Sequence, residues 1–230
     1  MGSFHAFRVH ENPDGTIRAG LEELALQDLS PGEVVIRGSY SSVNYKDALA
    51  ATGRGRILRR FPLVGGVDVA GVVMSSVDAR FHEGDQVLVT GCGLGENHDG
   101  GFSEIVRVPG DWVVPLPEGM SLFAAMALGT AGFTAALAID RLEQNGLQSG
   151  QGPMIVTGAS GGVGSVAIDL LCGCGYEVAA LSRNPETDAY LQALGAADVL
   201  DTNAVSTGEK PLETARWAGA IDNVGGELLG

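Results

Sequence analysis

From Met154 to Gly164 the chain reads Met-Ile-Val-Thr-Gly-Ala-Ser-Gly-Gly-Val-Gly, a short apolar run that ends in a glycine-rich turn. Val163, Val166, Ala167, Leu170, Leu171 and Cys174 then recur at intervals of three and four. That spacing predicts a helix with one apolar face packed on a sheet. Strand, glycine turn and helix in this order aim backbone N–H groups and the positive end of a helix dipole at a phosphate. Ser160, Gly161, Gly162, Val163 and Gly164 are therefore candidate contacts to a dinucleotide. Gly161 would let a pyrophosphate approach the backbone, and Gly164 would let the helix lie tight on the strand. Ala159 stands where the first glycine of G-x-G-x-x-G would be, so spacing alone also admits an ordinary glycine-rich connection. A second strand at the right distance favours the dinucleotide.

That second strand is Glu177-Val178-Ala179-Ala180-Leu181-Ser182. A carboxylate at its tip would accept a hydrogen bond from the 2′-hydroxyl of NAD, whereas an arginine favours a 2′-phosphate. Here the tip reads Ser182-Arg183-Asn184. The nearby acids Glu186 and Asp188 belong to a following helix, with Asn184 as its N-cap and Pro185 at its first position. That helix is expected to run to about Leu194 and stop at Gly195. The expected cofactor is NADP(H), contacted by Ser182, Arg183 and Asn184; the other reading makes Ser182 and Arg183 plain surface residues.

A chain of 230 residues with 45% apolar content can fill one large core or two smaller ones, and 35 glycines imply many turns. A net charge of −14 opposes a phosphate backbone, so no nucleic-acid partner is expected. No apolar run reads as long enough to cross a bilayer, and the start lacks a signal-peptide core, so no membrane partner is expected either. Three cysteines do not make a disulfide framework. Cys172 and Cys174 sit two apart on a helix and point in different directions. The expected setting is the reducing cytoplasm.

Up to about Pro117 the chain reads as strands and turns. Glu33 to Tyr40 follows the turn Ser30-Pro31-Gly32, Leu63 to Met74 is rich in glycine and valine, and Gln86 to Thr90 follows Glu83-Gly84-Asp85. Gly101 to Val108 and Trp112-Val113-Val114 complete a set that suggests a partly open β-barrel or a small sandwich. From Ser121 to about Leu142 the chain turns alanine-rich and helical, broken at Gly129-Thr130-Ala131-Gly132. Two further apolar runs, Ala197 to Leu200 and Ala218 to Val224, follow the strand–helix alternation.

Asn44-Tyr45-Lys46-Asp47, Gly66-Val67-Asp68-Val69-Ala70-Gly71, Gly129-Thr130-Ala131-Gly132-Phe133-Thr134 and the Gly158–Gly164 turn together resemble the medium-chain dehydrogenase/reductase superfamily. Gly91 to Gly101, Gly110-Asp111-Trp112 and Trp217 to Asp222 narrow the resemblance to the acrylyl-CoA reductase and YhdH/YhfP quinone oxidoreductase family. The resemblance implies an α/β fold. Residues 1–120 would form a GroES-like substrate (catalytic) domain built on a partly open β-barrel. Residues 121–230 would form an NADP-binding Rossmann domain, its doubly wound parallel sheet incomplete at the C-terminus. Family members continue well past Gly230, so the chain reads as partway through its second mononucleotide half, its run from Gly225 to Gly230 following the fourth strand. A full-length form is expected to pair as a homodimer.

The same resemblance bears on chemistry. Where zinc-dependent relatives have a first Cys this chain has Asn44, and where they have G-H-E it has Gly66-Val67-Asp68, so no metal is expected. Hydride would then go to an activated C=C bond of an α,β-unsaturated thioester such as acryloyl-CoA, or to a quinone. Charge building on the carbonyl oxygen and α-carbon would need fixed donors and a proton. Asn44 through its amide and Tyr45 through its hydroxyl are candidate donors, Lys46 a candidate cation, and Asp47 a candidate orienting group. The alternative is that Asn44 to Asp47 form an Asx-type turn opening a helix. By resemblance Thr130 and Asn223 lie near the nicotinamide. Arg54, Arg56, Arg59 and Arg60 crowd one loop, either as a solvated surface or as a contact to coenzyme A phosphates.

Overall fold

The computed structural model describes residues 2–202 and 215–226, so Glu227 to Gly230 of the closing run lie outside the described residues. Two compact units divide the chain, Met1–Thr130 and Ala131–Gly230.

In the first unit, β1 (Phe4–Glu11) and β2 (Ile17–Leu24) pair antiparallel along their whole length, and β4 (Leu63–Val64) takes the other edge of β1. A second sheet runs β7 (Ile105–Val108), β3 (Val34–Tyr40), β5 (Asp68–Ser76), β6 (Gln86–Thr90) and β8 (Val114–Pro115), antiparallel throughout. An Ala6–Ser103 bridge joins the two sheets into the partly open barrel. Period-two patterning explains the strands. In β6, Val87 and Val89 are fully buried in one core, while Gln86, Leu88 and Thr90 take the other face, where Leu88 packs with Ala125 and Met126. The stretch Trp112-Val113-Val114 departs from expectation. Gly110–Trp112 is a 3₁₀ turn and pairing starts only at Val114. There Trp112 meets the ring of His98 edge-on at 4.9 Å, and Val113 turns into the core, so packing overrides the β-branched pair.

A short helix, α1 (Tyr45–Thr52), is capped by Asn44 and ends at Gly53, whose φ of 69° is the left-handed conformation a glycine tolerates at a helix end. The long helix α2 (Leu122–Gln144) is interrupted at Gly129 (φ 49°, ψ −151°). Its opening turns bury Ala125 and Met126 against Ala70 of β5. The first compact unit runs to Thr130, inside α2. Among the described residues α2 is long and apolar enough to cross a membrane by length and composition, which the sequence reading did not find. It breaks at Gly129, buries Ala125 and Met126 in one core and Ala135 and Ile139 in another, and leaves Phe123, Leu128, Phe133 and Leu137 exposed.

In the second unit, β9 (Met154–Val156), β10 (Val178–Leu181), β11 (Asp198–Leu200) and β12 (Gly219–Ile221) form one parallel sheet in the order β11-β10-β9-β12. In chain order this is third, second, first, fourth, the start of a doubly wound nucleotide-binding sheet. Between the strands lie α3 (Gly162–Gly173) and α4 (Asp188–Ala193). The buried face of α3 is Gly164, Ala167, Ile168 and Leu171. Ile168, absent from the expected stripe, is fully buried, while Val163, Val166 and Leu170 are only partly covered. The face is thus rotated by about one position, because Gly164 lets the helix settle on the preceding turn. A Cβ at Gly164 would stand 2.4 Å from the Gly158 carbonyl oxygen and 2.8 Å from the Ala159 Cα. Gly164→Ala is expected to lower the unfolding free energy by about 1–3 kcal/mol, read from the urea midpoint. An unchanged midpoint would contradict this account of how α3 seats.

Candidate functional site

The first unit places a carboxylate where water does not reach. Asp68 opens β5 and is fully buried between Val67 and Val69. A buried charge needs donors around it, and the surrounding chain supplies them. The Asn44 amide donates to Asp68 Oδ2 at 3.0 Å, the Thr130 backbone N–H to the same oxygen at 3.0 Å, and the Thr130 hydroxyl to Oδ1 at 2.7 Å. The Ser42 hydroxyl donates to Oδ2 as well. Ser41 fixes the backbone beneath by donating to the Asp68 carbonyl at 2.7 Å. Pairing of β3 with β5, with Tyr40 opposite Ala70, brings the Ser41–Asn44 segment here, and the break in α2 brings Thr130. Only glycine fits that break, since a Cβ at Gly129 would stand 2.7 Å from Ser42 Oγ and 3.1 Å from Asp68 Oδ2.

The four-residue motif divides. The Asn44 amide nitrogen lies 3.0 Å from both Asp68 Oδ2 and Ser42 Oγ, which are themselves hydrogen-bonded to each other. Asp47 accepts the Asn44 backbone N–H at 2.7 Å and returns its own N–H to the Asn44 carbonyl at 2.9 Å, so it caps α1. Burial pushes the Asp47 carboxyl above its usual range, against the lowering effect of the Asn44 N–H. Lys46 pairs with Glu96 at 3.1 Å. Tyr45 is 81% exposed and its hydroxyl has no partner among the described residues. The structure thus joins Asn44 and Thr130 at one carboxylate, ties Asp47 to them through the cap, and leaves Lys46 to Glu96. Ser42 is the participant that sequence reading missed, while Asp68, noted there only as part of the stretch standing in place of G-H-E, is the shared acceptor. The signal available was an acid inside the apolar run Val67–Ala70.

The second unit carries the glycine turn. Gly158, with φ of 57°, reverses the chain after β9, and Gly161 caps α3 after donating its N–H to the Gly158 carbonyl at 3.0 Å. Apart from that carbonyl oxygen at 3.2 Å, a Cβ on Gly161 would meet nothing, so the approach to the helix's opening N–H groups is bare. Beside it lies a cleft of about 180 Å³ lined by Gly158, Ala159, Ser160, Ser182, Arg183 and Asn184, among others. Among the described residues no carboxylate lines it. Asn184 caps the next turn by accepting the Glu186 N–H at 3.1 Å. Ser182 Oγ accepts the Asn184 N–H at 3.2 Å and lies 2.9 Å from Thr187 Oγ1. Arg183 is exposed and has no side-chain partner among the described residues. Thr157 and Asn223 knot the tips of β9 and β12 together. The Asn223 amide donates to the Thr157 carbonyl and its backbone N–H to Thr157 Oγ1, each at 2.9 Å, and Thr157 Oγ1 donates to Asp222. Among the described residues no group of three or more His, Cys, Asp or Glu could hold a metal ion.

Asp68→Asn sets an amide against donors and should cost about 2–4 kcal/mol of stability, measured by urea denaturation. An undiminished midpoint would show that those donors find other acceptors. At the other cluster, the Thr157 hydroxyl holds the Asp222 carboxyl below its usual range. A depressed folded-state value means that this stabilisation is present above the unfolded value, about 3.9, and is lost as pH falls through the folded one. Asp222→Asn should therefore melt lower than the parent at pH 7, with the gap closing toward pH 3. A gap independent of pH would rule out the carboxylate as its source.

The Alcohol dehydrogenase GroES-like domain matches residues 30–118. Acrylyl-CoA reductase AcuI of Ruegeria pomeroyi is 48% identical over 98% of this chain and 69% of its own length. YhfP of Bacillus subtilis, named as a quinone oxidoreductase, is 47% identical over 98% of this chain and 68% of its own. A Bacillus subtilis yhfP crystal structure with NAD bound superposes with a TM-score of 0.95 at 46% identity, covering 100% of this chain and 70% of that one. The yhdH oxidoreductase of Salmonella enterica in complex with NADP gives a TM-score of 0.93 at 49% identity, covering 98% of this chain and 69% of that one.

Proposed function

Because the chain belongs to the medium-chain dehydrogenase/reductase superfamily, in its acrylyl-CoA reductase and YhdH/YhfP family, we propose that it is an NADPH-dependent oxidoreductase acting on the activated C=C bond of an α,β-unsaturated thioester. The observation that carries this reading is the opening turn of α3, where a bare Gly161 adjoins a cleft lined by Ser182 and Arg183 with no carboxylate among the described residues. Those residues fit a dinucleotide bearing a 2′-phosphate. Backbone N–H groups from Gly162 to Gly164 would take the pyrophosphate, and Ser182 and Arg183 the 2′-phosphate. Asn184, already an N-cap, would contribute through its backbone.

Bound there, the reduced cofactor supplies hydride. The remaining demands fall on the chain's own side chains. Charge that develops on a thioester carbonyl oxygen needs donors whose positions are set in advance. Asn44 and Thr130 each donate to Asp68, which fixes their positions. Their part is to hold the shape of the wall. Tyr45 keeps a free hydroxyl on an exposed side chain, and we assign it the proton for the substrate α-carbon.

The AcuI name at 48% identity favours the thioester over a quinone, while the name of YhfP at 47% keeps a quinone as the second reading. The test is to mix the chain with NADPH or NADH and with either acryloyl-CoA or a quinone, and to follow nicotinamide absorbance and cofactor fluorescence. Expected are tighter binding of NADPH than of NADH, loss of that preference in Arg183→Glu, and oxidation driven by the thioester. Preference for NADH would refute the assignment of Arg183. Turnover with the quinone alone would transfer the function to the second reading, and binding without turnover would leave a nucleotide-binding module.

A further inference from the structure

Between α1 and β4 the chain carries Arg54, Arg56, Arg59 and Arg60 within seven residues, in a chain with 28 acidic and 14 basic residues. The four do not behave alike. Arg60 is structural. Its guanidinium donates to the Asn97 carbonyl at 3.0 Å and reaches the Ser30 hydroxyl and the buried Asp99 carboxylate. The side chains of Arg54, Arg56 and Arg59 are exposed and meet no carboxylate or carbonyl among the described residues. Elsewhere in the same unit the exposed Arg80 is bound by Asp78 and Asp111, and Arg18 lies 3.5 Å from Glu22. Arg37 and Arg183 also lack a carboxylate partner among the described residues, but they stand singly, whereas this loop groups three such arginines.

The backbone beneath these guanidinia is fixed. Arg54 donates its N–H to the Leu49 carbonyl at 3.1 Å, Ile57 to Gly55 at 2.9 Å, and Arg59 to Glu96 at 2.7 Å. Ile57, Leu58 and Phe61 turn inward and pack with Val9, Ala50 and Leu63. The apolar side chains thus anchor the loop while alternating residues send positive charge outward. Everywhere else a net charge of −14 disfavours an approaching polyanion.

Resting on the thioester reading above, we infer that this loop is the landing site for the phosphates of the substrate's coenzyme A portion. Guanidinium forks suit phosphate oxygens, and three of them on one anchored loop can share a 3′-phosphate and a pyrophosphate. The thioester end carries no charge, so the loop would set affinity for the carrier and leave the chemistry to other residues.

Calorimetric titration of the 230-residue chain with coenzyme A, dephospho-coenzyme A and phosphate-free pantetheine tests this, using the parent, R54E/R56E/R59E and Arg183→Glu. The parent should bind coenzyme A at least about tenfold more tightly than pantetheine, as charge-assisted contacts of this kind warrant. The triple variant should fall to the pantetheine level, dephospho-coenzyme A should lie between, and Arg183→Glu should match the parent. Because charge reversal can perturb folding, the milder R56Q/R59Q is titrated as well, with NADPH binding measured on the same samples; it too should weaken coenzyme A and spare NADPH. Unaltered coenzyme A binding in these loop variants, or its loss in Arg183→Glu instead, overturns the inference. So does reduction of phosphate-free acryloyl-N-acetylcysteamine by a parent that does not bind coenzyme A, which would leave the enzyme reading standing. Failure to reduce either thioester counts against the reading itself.

Discussion

A carboxyl group removed from water is tolerable only where the protein replaces its lost hydrogen bonds, and Asp68 sets that demand in the first unit. Asn44, Thr130 and Ser42 meet it from segments far apart in sequence, so a requirement at one atom pair determines where the β3–α1 connection and the middle of α2 must be. The barrel strands supply the frame, but the identity of the residues at its mouth follows from this one group. Asp47 extends the arrangement by capping α1 on the Asn44 backbone, so the helix start and the carboxylate share an anchor. A motif that reads as four catalytic candidates divides, in space, into a donor to Asp68 at Asn44, a helix cap at Asp47, an ion pair at Lys46 and an exposed ring at Tyr45.

The second unit answers a different constraint, close approach of backbone to backbone. Gly164 lies against the Gly158 carbonyl and the Ala159 Cα, while Gly161 faces open space. The two glycines do opposite jobs. One draws a helix in, and the other keeps a side chain out of the way of what binds at the helix mouth. The knot of Thr157, Asp222 and Asn223 then fixes the ends of β9 and β12 beside that mouth.

Much of this was legible in the chain itself. Parallel strands alternating with helices, the glycine turn, the Asn184 cap and the interruption near Gly129 are local signals, carried by spacing and by residues with narrow conformational preferences. What was not legible depends on distant partners. Ile168 is buried because α3 turns its Gly164 side onto the Gly158–Ala159 turn, which periodicity cannot reveal. Trp112 leaves the strand pattern because His98 offers it a ring. The roles within Asn44 to Asp47 could not be divided from sequence, since which hydrogens remain free depends on Asp68, Ser42 and Glu96. An acid in an apolar run was the one visible hint that such a partner set existed.

The break in α2 carries an implication beyond shape. In an unbroken helix the amide of Thr130 would bond to the carbonyl four residues before it, at Met126. At Gly129 the backbone leaves helical geometry, and that amide turns to Asp68 instead. A chain that mended its ladder here, by evolving a better helix former at position 129, would gain regularity and take back a hydrogen that the acid depends on. Local helical perfection and the site are thus rivals for the same proton, and glycine is the residue that decides the contest in favour of the site.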